Sequence, residues 1–243
     1  NLTKLTILYL SHNSLVGSIT PEIGNLTELT SFSLENNELS GSVPPETGNL
    51  TGLTYLNLSQ NELTGPIPFS IWNLTELEYL RLSYNELTGN IPPEIMNLTE
   101  LNTLELVSNE LTGSIPSEIG SLSNLEWIDL SGNNLNDAIP YEIGNLTNLE
   151  ALFLNYNELD GVIPPEIASL VGLEYLSLSN NQLSGEIPPG IGSLTDLHLL
   201  NLHTNIFFGI IPETLCNLNI DWNDSSKFSI INNQFCPPYP DCL

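Results

Sequence analysis

Basic residues are nearly absent from this chain. Lysine and arginine together number 3, against 29 aspartates and glutamates, a formal net charge of −26. Nucleic acid is excluded as a partner, because its phosphates are bound by lysine and arginine. An anionic membrane surface would repel such a chain for the same reason. Long apolar runs are missing too. None approaches the roughly 18 residues of a spanning helix, so this segment is not expected to insert into a membrane. The three histidines are His12, His198 and His203. The last two fall in one strand region, but no serine or cysteine nucleophile with an orienting carboxylate can be set beside them. There is no glycine-rich phosphate loop, no HExxH pattern and no CxxC spacing. An enzyme is therefore not expected, and no cofactor is required. No leader with a basic start and an apolar core is visible. The chain opens at Asn1-Leu2-Thr3 already inside a repeating pattern, with no polar end cap before Leu2. It reads as a piece of a longer protein, so the missing leader carries no information.

What is present is repetition. Leu98 to Ser121 reads LTELNTLELVSNELTGSIPSEIGS, and the same letters return every 24 residues, as at Leu74, Leu98, Leu122, Leu146, Leu170 and Leu194. The pattern is L-x-x-L-x-x-L-x-L-x-x-N-x-L-x-G-x-I-P with a short tail. A fixed period of this length with leucines at these offsets marks one strand-bearing coil per copy. The G-x-I-P step is carried by Gly65-Pro66-Ile67-Pro68, Gly89-Asn90-Ile91-Pro92 and Gly113-Ser114-Ile115-Pro116. In these motifs the chain resembles the plant-type leucine-rich repeats of receptor ectodomains and polygalacturonase-inhibitor-like proteins. The resemblance implies an α/β right-handed solenoid, with a parallel β-sheet on the concave face and short 3₁₀ or helical turns on the convex face. Residues 1–217 are read as nine 24-residue copies lacking an N-terminal cap, and residues 218–243 as a degenerate tenth copy with a cysteine- and proline-rich cap.

Each column of the repeat has a physical reading. In the L-x-L segment alternate residues point opposite ways, so Leu8 and Leu10, Leu56 and Leu58, Leu104 and Leu106 are predicted to point into the coil. An asparagine column runs from Asn13 through Asn109 to Asn205. Its amide has both donor and acceptor for backbone groups that a turn leaves unpaired. A glycine column from Gly17 to Gly209 marks a tight bend and fails once, at Asp137. The Ile-Pro step, as at Ile163-Pro164, favours extended backbone before the proline and is predicted to form a second strand on the flank. The Pro-Glu-Ile segments suit a short helical turn, with proline first and glutamate favoured by the dipole.

After Pro212 the register changes. Phe228-Ser229-Ile230 restores the L-x-L segment after a four-residue insertion that contains Trp222. Cys216, Cys236 and Cys242 cluster at this end, which suggests a disulfide-bonded cap and an oxidising compartment. Counting offsets across the insertion places Cys216 and Cys242 at similar positions of adjacent coils. That favours a Cys216–Cys242 bridge with Cys236 left over, while three unpaired thiols remain the alternative.

The outward strand positions vary while the framework columns do not. Tyr55, Tyr79, Arg81, Glu105, Trp127, Asp129, Phe153 and Tyr175 are the candidate ligand-binding residues. Rigid aromatics among serines and asparagines have the composition of a recognition surface. On the flank Glu38, Glu62, Glu86 and Glu110 recur once per coil, expected roughly 5 Å apart. They read as a solvated acidic row, with bridging Ca²⁺ as the sharper alternative. Asn-x-Ser/Thr steps occur at Asn1, Asn25, Asn49, Asn57, Asn73, Asn97, Asn145 and Asn223, and a glycan on Asn57 would block part of the concave face. The leading expectation is a non-catalytic, extracellular or cell-surface module that binds a protein, peptide or glycan on its concave face. A structural stalk or adhesive filament, with self-association, is the competing class. Ice binding is a third reading, which regular rows of threonine or asparagine would favour and the varied concave columns count against.

Overall fold

The computed structural model describes residues 2–243; the glycosylation motif at Asn1 lies outside them. The chain winds as a solenoid. Its main sheet has ten parallel strands in strict chain order, from Ile7–Tyr9 and Ser31–Ser33 to Leu199–Asn201 and Phe228–Ser229. Successive strands pair at an offset of 24 residues, as in Tyr55↔Tyr79, Leu56↔Leu80 and Asn57↔Arg81. The last pairing, Leu200↔Phe228, has the register expected from the insertion. Each copy then makes one five-residue 3₁₀ turn, such as Pro93–Asn97. Proline opens five of the nine such turns among the described residues. A 24-residue coil has no room for more after its strand and its bends.

The core is a stack of aliphatic columns. Leu104, Leu106, Leu111, Ile119, Leu122 and Leu125 are all fully buried, and their equivalents lie above and below them. Each such side chain contributes about 1.5–3 kcal/mol on leaving water. In the first described coil Leu8 is partly buried against this core and Leu10 is 41% exposed. One turn carries Thr47 where its equivalents are mostly isoleucine. Its hydroxyl is buried without a hydrogen-bond partner.

The asparagine column stitches coils together. Asn109 Oδ1 accepts from Leu87 N–H of the previous coil at 3.0 Å. Its Nδ2 donates to Leu82 O, Leu106 O and Val107 O. The same set recurs at Asn37, Asn61, Asn85, Asn133, Asn157, Asn181 and Asn205. The residue before each of these asparagines has left-handed backbone, including Asn36, Gln60, Tyr84 and Ser108 with φ of 51° to 57°. Asp137 takes the same conformation in the glycine column, with φ 63°. Aspartate is among the few residues that tolerate this region, because its short polar side chain bonds locally.

The flank strand is real but displaced from the expected position. It occupies Glu38–Gly41, Glu62–Pro66, Glu86–Gly89 and Glu110–Gly113, ahead of the Ile-Pro step. The proline instead precedes the 3₁₀ turn, as Pro116 does before Ser117–Ser121. Having no N–H, it cannot extend the ladder. The flank sheet breaks after Asn134–Leu135 into single bridges at Ala138↔Asp160 and Val162↔Ser184, then resumes from Ser184–Gly185. The break begins in the copy that carries Asp137.

Candidate functional site

The outward residues of the concave sheet form two aromatic groups with a charged strip between them. At one end Tyr55 and Tyr79, on adjacent strands, have ring centroids 5.9 Å apart. Tyr9 joins them at 6.2 Å from Tyr55, although it lies two coils away. The coil between presents only Ser31 and Ser33, so the larger rings meet across it. At the other end Trp127 lies 5.5 Å from Phe153 and 6.3 Å from Tyr175, and Phe153 lies 6.3 Å from Tyr175. Ala151, buried on the intervening strand, again leaves the space. All eight residues singled out in the sequence are half-buried on this sheet.

Between the groups lie Arg81, Glu105 and Asp129, opposite one another on three consecutive strands. Arg81 Nε approaches Glu105 Oε1 to 3.5 Å but makes no hydrogen bond, so charge alone holds the pair. Burial pushes the Glu105 carboxyl above the usual glutamate range, against the pull of Arg81, and neighbouring Asp129 and Glu35 push the same way. Burial also raises Asp129, although Oδ1 accepts from Ser131 Oγ at 2.5 Å and from Ser131 N–H at 3.0 Å. A carboxyl with a raised folded pKa holds its proton more tightly when folded. Its contribution to stability is therefore full at acid pH and lost as pH rises through the folded pKa. Asp129→Asn is accordingly expected to raise the thermal midpoint at neutral pH and to flatten the rise seen on acidification. A midpoint that falls at pH 7 would show that Asp129 is needed for the fold.

Several residues escaped the sequence reading. Tyr9 belongs to the first aromatic group. Glu35 Oε2 accepts from Asn57 Nδ2 at 3.0 Å, and the same Nδ2 donates to Tyr55 Oη at 3.2 Å. Asn57 is only 2% exposed, so the nitrogen that would carry a glycan is buried and engaged. Asn25, Asn49, Asn73, Asn97 and Asn145 are exposed instead, each closing a 3₁₀ turn.

The flank glutamates are exposed and wider apart than expected. Glu62 pairs with Ser40 and Glu86 with Thr64, so successive glutamates stand on the diagonal. Diagonal neighbours in a sheet are about 7–8 Å apart, not 5 Å. Among the described residues no three acidic, histidine or cysteine side chains gather as a metal site. Net repulsion should still weaken the fold at low salt. The thermal midpoint is expected to rise as ionic strength goes from about 0.01 to 0.15 M, where the screening length falls from about 30 to 8 Å. A calcium effect beyond matched NaCl, removed by Glu62→Gln with Glu86→Gln, would assign an ion to this row.

The family profile described as a leucine-rich repeat region matches residues 68–160. Further leucine-rich repeat profiles match 27–87 with 140–183, and 4–26. The chain belongs to the leucine-rich repeat family. Among solved structures this leucine-rich repeat chain is similar to the Arabidopsis receptor kinase HAESA, determined with the peptide hormone IDA and the co-receptor SERK1. Identity is 36% and the TM-score 0.92, over 96% of this chain and 38% of that one. A TDR receptor gives 37% and 0.90, over 100% and 45%. A plant ice-binding protein gives 31% and 0.81, over 96% and 74%. The chain thus spans less than half of the two receptor structures. No curated protein matches it. Its parallel sheets, 3₁₀ turns and Cys216–Cys242 disulfide, with Cα atoms 5.7 Å apart, are as the repeat pattern led one to expect. Cys236 is free and exposed. No helix among the described residues is long and apolar enough to cross a membrane.

Proposed function

We propose that this chain is a non-catalytic, extracellular or cell-surface recognition module that binds an extended peptide or protein segment along its concave sheet. Residues 218–243 act as its C-terminal cap. The observation that carries the reading is the pairing of two aromatic groups around Arg81, Glu105 and Asp129 on one open face. Half-buried rings held by neighbouring strands present apolar area with little conformational freedom left to lose on binding. The likeness to a receptor kinase structure determined with a peptide hormone supports a peptide over a glycan. To test it, the wild type and a Tyr79→Ala, Trp127→Ala, Tyr175→Ala variant are immobilised and exposed to extracellular extracts. The wild type should retain a binder that the variant loses. Equal retention would move the site off this face. Absence of any binder, with self-assembly of the pure chain, would favour the stalk.

A second reading has its own observation. Thr27, Thr51, Thr75 and Thr99 are exposed at equivalent positions of four consecutive coils, away from the concave strands, and Thr147 and Thr195 continue the row after Ser123 and Val171 interrupt it. With the likeness to a plant ice-binding protein, this row supports ice binding. A solution of the chain that shows no thermal hysteresis and no inhibition of ice recrystallisation would remove it.

A further inference from the structure

The two aromatic groups differ in what surrounds them. Around Tyr9, Tyr55 and Tyr79 the carboxylate of Glu35 is already engaged by Asn57. The Trp127 group adjoins a carboxylate that has no cation. Asp129 is two residues from Trp127 on the same strand, hence on the same face, and opposite Phe153 on the next. Only Ser131 donates to it among the described residues, and both bonds fall on Oδ1. All three lysines and arginines are committed elsewhere: Lys4 to Glu28, Lys227 to Asp224, and Arg81 to Glu105. Arg81 lines the same cleft two strands away but is held by Glu105, so the protein presents three rings and a partly desolvated anion whose nearest cation is already paired.

Ring faces attract cations within about 6 Å of the centroid, and a desolvated cation gains most. The spacing of Trp127, Phe153 and Tyr175, 5.5–6.3 Å between centroids, allows one flat or slender cationic group to touch more than one ring. The geometry points to a specific occupant: an extended peptide that lays an arginine or lysine side chain over Trp127, Phe153 and Tyr175, its charge answered by Asp129. This rests on the reading of the concave sheet as the binding face and names the chemistry of the ligand there. Charge complementarity argues for it at two scales. The chain as a whole carries −26, which draws basic partners in. The local pairing then selects where the basic side chain sits. Burial already raises the Asp129 pKa, and an incoming cation would return it toward its ordinary value.

The test uses a random-peptide phage library panned on the purified chain at about 0.15 M salt, where charges beyond roughly 8 Å are screened. Enriched peptides are resynthesised, and each basic residue is replaced in turn by citrulline or norleucine. Binding is measured to the wild type, to Trp127→Leu, to Asp129→Asn, and to a Glu62→Gln, Glu86→Gln control on the flank. Circular dichroism confirms that each variant is folded. Expected is an enriched basic peptide with one position whose neutral replacement weakens binding at least tenfold. Trp127→Leu and Asp129→Asn should weaken it as much, and the flank control not at all. Equal loss in the flank control would mean unspecific attraction to a polyanion and would overturn the inference. Peptides that need Trp127 but no basic residue would also overturn it, while leaving the concave face as the binding site. Failure to enrich any peptide, or peptides indifferent to both substitutions, would count against the binding face itself.

Discussion

Asn109→Ala is expected to cost on the order of 3 kcal/mol of folding stability, from the backbone donor it orphans and the cavity it leaves. The hydrogen bonds show where the loss falls. Leu82 O also accepts from Asn85, and Leu106 O from Asn133, so both carbonyls keep a partner. Val107 O keeps the N–H of Tyr84. Leu87 N–H has only Asn109 Oδ1 and is left buried and unpaired. Asn109→Asp retains that acceptor but turns a charge toward three carbonyl oxygens, and should be no better at neutral pH. Asn13 is the control. Its Nδ2 bonds only Leu10 O and Ser11 O, both near in sequence and both exposed. Asn13→Ala should cost under about 1 kcal/mol, the ordinary net worth of exposed hydrogen bonds. Urea unfolding of the three variants measures the ranking. Equal costs at the end and the middle of the column would mean that the amide acts locally, without joining coils.

Reducing the disulfide is the second large effect. Cys216 and Cys242 close a 26-residue loop, for which the chain-entropy account gives about 3.5 kcal/mol. A solenoid's stability is a sum of nearest-neighbour terms, so the loss should stay local. Hydrogen exchange after reduction, or in Cys216→Ser, should show residues 218–243 opening while the coils around Leu104 keep their protection. The residual hold on the segment is the pairing of Phe228–Ser229 and of Gln234–Phe235 with the strands before them, Phe235 stacked on Phe207 at 6.4 Å, and Asn233, which accepts from Phe207 N–H and donates to Leu202 O. Unchanged protection of 218–243 would mean that this packing suffices.

The fold was legible because each coil repeats one physical problem and one answer. Leu80, Leu104 and Ile128 stand in one inward column, and all three are fully buried. Periodicity alone reveals such a column, and it tolerates leucine or isoleucine alike. The disulfide was legible for the same reason, since position within a coil fixes which residues stack. The flank strand was misplaced because Ile-Pro marks extended backbone without saying whether it pairs. The left-handed residue before each asparagine stayed hidden because Tyr84, Ser108 and Tyr156 have no common chemistry. Their conformation is imposed by the ladder beside them. The concave columns gave the eight candidate residues, but not which would touch. That depends on what lies between them, and Tyr9 reaches Tyr55 only because serines intervene. The separation of the flank glutamates depended on a two-residue shift of register that no single copy displays.

The asparagine ladder has a consequence for how such a molecule can change over time. From Asn37 to Asn205 every joint between coils uses the same bonds at the same offsets, as Leu63 to Asn85 and Leu111 to Asn133 show. One whole copy can therefore be duplicated or lost by unequal recombination, and the new neighbours meet across an old joint. The hydrophobic columns close without a seam. What does change is distance: each copy gained between Tyr79 and Trp127 moves the two aromatic groups apart by one strand spacing, about 4.8 Å. The number of intervening coils then works as a ruler cut in fixed divisions. A lineage could retune it to ligands of different length without altering a single contact residue.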